Sequence, residues 1–239
     1  MKTSVANFTD TTPYSVGLWS GLAAFVSTAL YCVVQMLQIF RVIKYPLDGI
    51  LIYGFSLCIV VPFILEMLAL HYITIKRKQF WSHAAVIFTV IYSVFVTANY
   101  VVQLATVIPM SLKGELEEVR ILNQTPHSMF WNFDALGYIF MGLATLFAVP
   151  VFKQSGFHRW VRRFFLANGL VTPLIAFVYF YPDFSETLLF IGLPWAITAP
   201  VSMLLLAIMF AKDRRKIIHK TDDLRTNVTP PLANLPSSH

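Results

Sequence analysis

Charge is scarce in this chain. Only 13% of its 239 residues are Asp, Glu, Lys or Arg, where ordinary soluble domains carry about 25%. That deficit argues against a soluble globule, because too few ionic groups remain to dress its surface. A mean hydropathy of +0.66 points to a chain solvated mostly by lipid. Cysteine is also scarce. Cys32 and Cys58 both lie in apolar runs, with no second ligand at metal spacing near either, and both read as small buried hydrophobes rather than a disulfide or a metal pair. Enzyme signatures are missing as well. There is no G-x-S-x-G, no H-E-x-x-H and no glycine-rich phosphate loop, and no apolar run holds a lysine suited to retinal. No metal and no cofactor is expected.

What is there is apolar sequence in long runs. Six of them, at about 16–40, 49–73, 80–109, 129–151, 161–181 and 186–211, approach or exceed the roughly 20 residues that a helix needs to cross a bilayer. The fold class expected is all-α, a polytopic bundle of six transmembrane helices over 16–212. A short N-terminal segment, 1–15, precedes it, and a basic, largely disordered tail, 213–239, follows. The first run is too long for the core of a signal peptide and lacks a small-residue cleavage site. In "TPHS" (125–128), Thr125 offers an N-cap with Pro126 at the first helical position, and "DFSE" (183–186) reads as a capping box. "SLKGELEEVRIL" (111–122) spaces Leu112, Leu116, Val119 and Leu122 as a short helix lying on the interface.

The net charge of +6 does not suggest nucleic acid, because the basic residues punctuate the apolar runs instead of clustering with stacking aromatics. With six spans both termini share a side. That side carries fourteen basic residues, among them Lys76, Arg77, Lys78, Lys153, Arg162, Arg163 and the tail; the other carries Arg41, Lys44, Lys113 and Arg120. The positive-inside rule then makes both termini cytoplasmic. The partners expected are the lipid bilayer and a small molecule, with no nucleic acid.

Glu66, in "PFILEMLALHY" (62–72), lies roughly 10 Å from the inner end of the second span. A carboxylate at that depth costs several kcal/mol unless it is paired, protonated or facing water. It is expected to face the bundle interior and to be carried largely as the neutral acid. Asn168, at a similar level, is its best partner by depth. Glu66 and Asn168 form the proton-handling candidate, against a structural reading in which the two glue helices together.

A second constellation lies toward the outer side. Gln35 and Gln38 are three apart on the first span, Asn99 and Gln103 four apart on the third, and Asp134 enters the fourth. Spacings of three and four place each pair on one helical face. Together with Trp195 they are the candidate lining of a polar cavity open to the outer side, walled by Tyr53, Tyr100 and Trp131. Three function classes fit. The chain binds or transports a small molecule, with possible proton coupling; or it is a non-catalytic scaffold or accessory subunit, its amides bonding across helices; or it is an intramembrane enzyme, for which Glu66, His71 and His83 are the conceivable metal set. Pro194 and Pro200 in "GLPWAITAP" (192–200) make the sixth span the best candidate for a bent or moving helix.

"TPHSMFWNFDALGYIFMGLATLF" (125–147), "VFKQSGFHRWVRRFFLANG" (151–169) and "GLPWAITAPVSMLLLAIMF" (192–210) resemble a family of small bacterial six-span membrane proteins without an assigned activity. The resemblance implies six spans and a bacterial plasma membrane. It brings no catalytic or binding residue.

Overall fold

The computed structural model describes residues 11–228, which contain helices and no strand. Six helices are long and apolar enough to cross a membrane. Helix α1 runs Thr12–Ile39, α2 Leu47–Ile73, α3 Gln79–Val102, α4 Met129–Ala148, α5 His158–Phe180 and α6 Leu193–Val228. The seventh, Ile108–Lys113, continues α3 beyond a π-helical turn at Gln103–Val107. Each long helix packs against its sequence neighbours and α1 also packs against α6, so the bundle closes into a ring.

The bilayer accounts for what water could not. Val33, Val61, Val94 and Leu170 sit within the long helices, away from their ends, and are exposed. A soluble surface does not carry such a belt of apolar side chains, but lipid solvates it. Cys58 belongs to this outer surface, and Cys32 is half-buried, so the two cysteines are not equivalent core residues. Close helix contacts use small side chains, as is usual where lipid removes the hydrophobic drive for association. Gly142 on α4 lies under Thr172 of α5, and Gly169 of α5 lies under Leu146 of α4, so a Cβ at either glycine would collide.

Helix boundaries follow local chemistry. The cap of α4 is Ser128, not Thr125: His127 has a left-handed backbone (φ 66°) that blocks an earlier start, and Ser128 Oγ accepts from Trp131 N at 3.2 Å. The "DFSE" stretch does not cap α6. A 3-10 segment, Glu186–Gly192, intervenes, and the α-helix begins at Leu193, where Pro194 in the first turn costs no hydrogen bond. The interfacial segment is split. Gly114 (φ 83°) ends the α3 continuation, and Leu116–Leu122 is 3-10 with Val119 buried. Helix α6 passes the expected boundary at Lys212 and continues to Val228. Its 36 residues span roughly 54 Å, longer than a hydrocarbon core of about 30 Å. The rest of the expected disordered tail, 229–239, lies outside the described residues.

The start of α1, the end of α2 and the start of α5 meet α6 at one end of the bundle. There Lys78 Nζ donates to the carbonyls of Val151 (3.0 Å) and Phe152 (3.4 Å), and Asp213 of α6 accepts from Lys216 at 2.9 Å and lies 3.0 Å from His158 Nε2. Lys153, Lys212 and Lys78 line the same region. This is the basic end. The candidate site lies at the other.

Candidate functional site

Asp134 is the hub of the opposite end. Its side chain is buried one turn into α4, where it gathers donors from three other elements. Tyr100 of α3 donates a short hydrogen bond to Oδ1. Tyr179 of α5 donates to Oδ2 at 2.5 Å, and Gln124 Nε2, from the loop before α4, donates to the same oxygen at 3.1 Å. Every contact on the carboxyl is thus a donor, as an acceptor-only carboxylate requires. No ion pair reaches Asp134 among the described residues.

The loop is fastened to this hub by Asn99 of α3 and by Gln103 just beyond it, the pair singled out above. Asn99 Nδ2 donates to Gln124 Oε1 at 3.0 Å. Gln103 spans the loop backbone, donating to Leu122 O at 2.7 Å and accepting from Gln124 N at 3.2 Å. Gln103 begins the π-helical turn, the kind of local insertion that often re-aims side chains at functional sites.

Gln35 and Gln38 belong to a different chain of bonds. Tyr31 OH donates to Gln35 Oε1 at 3.2 Å, Gln35 Nε2 to Gln38 Oε1 at 3.0 Å, and Gln38 Nε2 to Asp48 Oδ2 at 2.9 Å. Tyr31 has one proton, so in its 2.6 Å contact with Tyr138 the Tyr138 hydroxyl donates. All donors therefore point one way, from Tyr138 toward the carboxylate of Asp48, which also takes the Gly49 N–H at 2.8 Å.

The five polar groups thus form two networks, and they do not line one common pocket. The larger cavity here, about 120 Å³, lies between α1, α4, α5 and the start of α6. Gln35 and Trp195 are on its wall, with Tyr31, Cys32, Tyr138 and Tyr179; Gln38, Asn99 and Gln103 are not. The reason is hydrogen-bond satisfaction. Amides deep in a bundle bond to one another and to loop backbone before they present themselves to open space. Asp134 lines a second, smaller space of about 20 Å³ with Ser56, Tyr92 and Tyr100. Tyr31, Tyr138 and Trp195 border both cavities. The Trp195 ring stands edge-on to Tyr31 (centroids 5.8 Å) and Tyr138 (4.8 Å), and its buried Nε1 has no protein acceptor.

Glu66 faces the interior as expected, but Asn168 is not its partner. Asn168 Nδ2 donates to Thr145 at 3.1 Å and its Oδ1 accepts from Thr198 at 3.0 Å, joining α4, α5 and α6. Glu66 lies instead against Gly21 of α1, fully buried, with neither carboxyl oxygen hydrogen-bonded. Depth along the sequence gave the level of the two residues but not the side of the ring. His71 and His83 do face each other, ring centroids 5.5 Å apart, with His71 Nδ1 2.9 Å from Ser82 Oγ. Glu66 does not complete a set with them, since no three His, Cys, Asp or Glu side chains among the described residues could hold a metal ion.

Sequence reasoning missed Gln124, Tyr179, Tyr138 and Asp48. Gln124 and Asp48 sit in or next to loops and carry no periodic signal, and a tyrosine in a run of aromatics does not announce which one turns its hydroxyl inward. Compared with known families, curated proteins and solved structures, the chain matches none.

Proposed function

We propose that this membrane protein binds or transports a small molecule in the 120 Å³ cavity, entered from the outer face of a plasma membrane, with both termini cytoplasmic. The observation that carries the reading is the cavity itself. It is an apolar space next to a buried carboxylate, fringed by Gln35, Tyr31, Tyr138 and Tyr179, and one wall is the 3-10 segment and proline-bearing start of α6. A concave, mostly apolar site with a few convergent polar groups is the usual form of a small-molecule site. The orientation rests on the basic end of the bundle.

Cys32 lines the cavity and Cys58 does not, which supplies the test. In a Cys58→Ser variant, a small charged thiol reagent added outside intact cells should label Cys32. Labelling only after the cytoplasmic face is opened would reverse the orientation. No labelling from either side would show that the cavity does not meet water.

A second reading has its own support. The direct pairing of Gln35 with Gln38, and of Asn99 and Gln103 with the loop, is what interhelical glue looks like. A scaffold or accessory subunit would need those bonds and not the cavity, so filling the cavity with Ala196→Leu would leave its function unchanged.

A further inference from the structure

The chemistry around Asp134 points to a class of ligand, on the reading that the adjoining cavity is a binding site. Asp134 is a buried carboxylate with no cationic partner among the described residues. Its Oδ2 accepts two hydrogen bonds and its Oδ1 one. A carboxylate offers about four acceptor positions, so Oδ1 can take one more donor. The space it borders is ringed by Tyr31, Tyr92, Tyr100, Tyr138 and Trp195. A carboxylate that no basic side chain neutralises, set among uncharged aromatic residues, attracts a cation and repels an anion. That space, about 20 Å³, holds little more than one water-sized group. The larger cavity beside it, about 120 Å³, is close to the roughly 150 Å³ known to hold a benzene ring.

We propose that the ligand is a small primary or secondary amine with an apolar body, its ammonium directed to Asp134 and its body in the larger cavity. Tyr31, Tyr138 and Trp195 form the partition between the two spaces. The 2.6 Å Tyr31–Tyr138 hydrogen bond is the part of that partition that opens when the ammonium passes. The amine N–H then adds a donor at Oδ1, and the ligand supplies the positive charge that the protein does not. A neutral alcohol of the same shape can donate to Oδ1 but brings no charge, and an anion gains neither interaction.

The test is calorimetric titration of the full chain in lipid nanodiscs, with empty nanodiscs as the blank. Three probes of matched shape are used: phenethylamine, 2-phenylethanol and phenylacetate. The amine should bind at least about tenfold more tightly than the alcohol, the scale of one charge-assisted hydrogen bond, and the acid should not bind. Asp134→Asn should bring the amine down to the alcohol while the alcohol is unchanged. If that variant does not fold, the wild-type ratio of amine to alcohol decides alone. Equal binding of amine and alcohol would overturn the amine assignment and leave the cavity as a site. Binding of none of the three would overturn both. Tighter binding of the acid would overturn the charge argument outright.

Discussion

Glu66 of α2 rests on Gly21 of α1 so closely that a Cβ at Gly21 would collide with its Oε1, and Ala207 of α6 closes the same contact. Three helices therefore meet at a point where one side chain must be absent. Gly21→Ala should overpack this junction and cost about 1–3 kcal/mol. Combining it with Glu66→Ala should recover part of that loss, because the collision is pairwise. Unfolding of the four proteins of this cycle in detergent gives the coupling. Additive losses would mean that the backbone of α1 moves and the contact is not the cause.

Glu66 makes no hydrogen bond through either oxygen, so its removal leaves no partner stranded. Glu66→Met, of similar length, should be neutral or stabilising by about 1–3 kcal/mol, the scale of an unsatisfied buried polar group. Glu66→Gln should fold normally. If Glu66 handles protons, both variants fold and lose function, and a carboxyl infrared band present in the wild type disappears in Glu66→Gln. A large destabilisation in Glu66→Met would reveal a partner for the carboxyl.

The spans and the depth of the polar residues were legible in the sequence because both follow from one dimension, distance along a helix. Gln35 with Gln38, and Asn99 with Gln103, share faces as their spacing requires, and Glu66 faces inward because lipid would penalise it. The partners were not legible. Asn168 lies at the level of Glu66 but bonds to Thr145 and Thr198, because which helices adjoin is decided by packing around the ring. The lining of the site was hidden for a related reason. The hydroxyls of Tyr100 and Tyr179 turn toward Asp134 through rotamers and helix rotation, which residue spacing does not encode.

Gln103 holds the loop before α4 through its backbone, taking Leu122 O and Gln124 N. Gln103→Leu should release that loop at a cost of about 1–3 kcal/mol, because two backbone groups lose their partner. Amide hydrogen exchange should rise over 116–124 and stay unchanged in α5. Exchange that rises evenly through the bundle would show that Gln103 supports α3 instead.

Lys78 donates to Val151 O and Phe152 O, just past the C-terminal end of α4, linking that end to the start of α3 at the basic end. A cation there also meets the negative end of the helix dipole. Lys78→Met keeps the aliphatic stem and removes the donor. It should cost about 0.5–2 kcal/mol, while Lys78→Arg should cost less. Equal losses in the two variants would place the effect in packing of the stem.

Tyr100 and Tyr179 bond different oxygens of Asp134, Oδ1 and Oδ2, so each holds one side of the carboxyl. The two single removals are not equivalent. In Tyr179→Phe, Oδ2 keeps the Gln124 amide; in Tyr100→Phe, Oδ1 keeps no protein donor. Tyr100→Phe should therefore be the more costly, by about 1 kcal/mol over Tyr179→Phe within a range of about 1–3 kcal/mol for each. The amine ligand inverts that order for binding. It donates to Oδ1, so it should restore stability to Tyr100→Phe more than to Tyr179→Phe. Thermal unfolding of both variants with and without phenethylamine measures the two orders together. If Tyr179→Phe is the more destabilised and gains more from the amine, the ligand meets Oδ2 and the approach proposed for it is wrong.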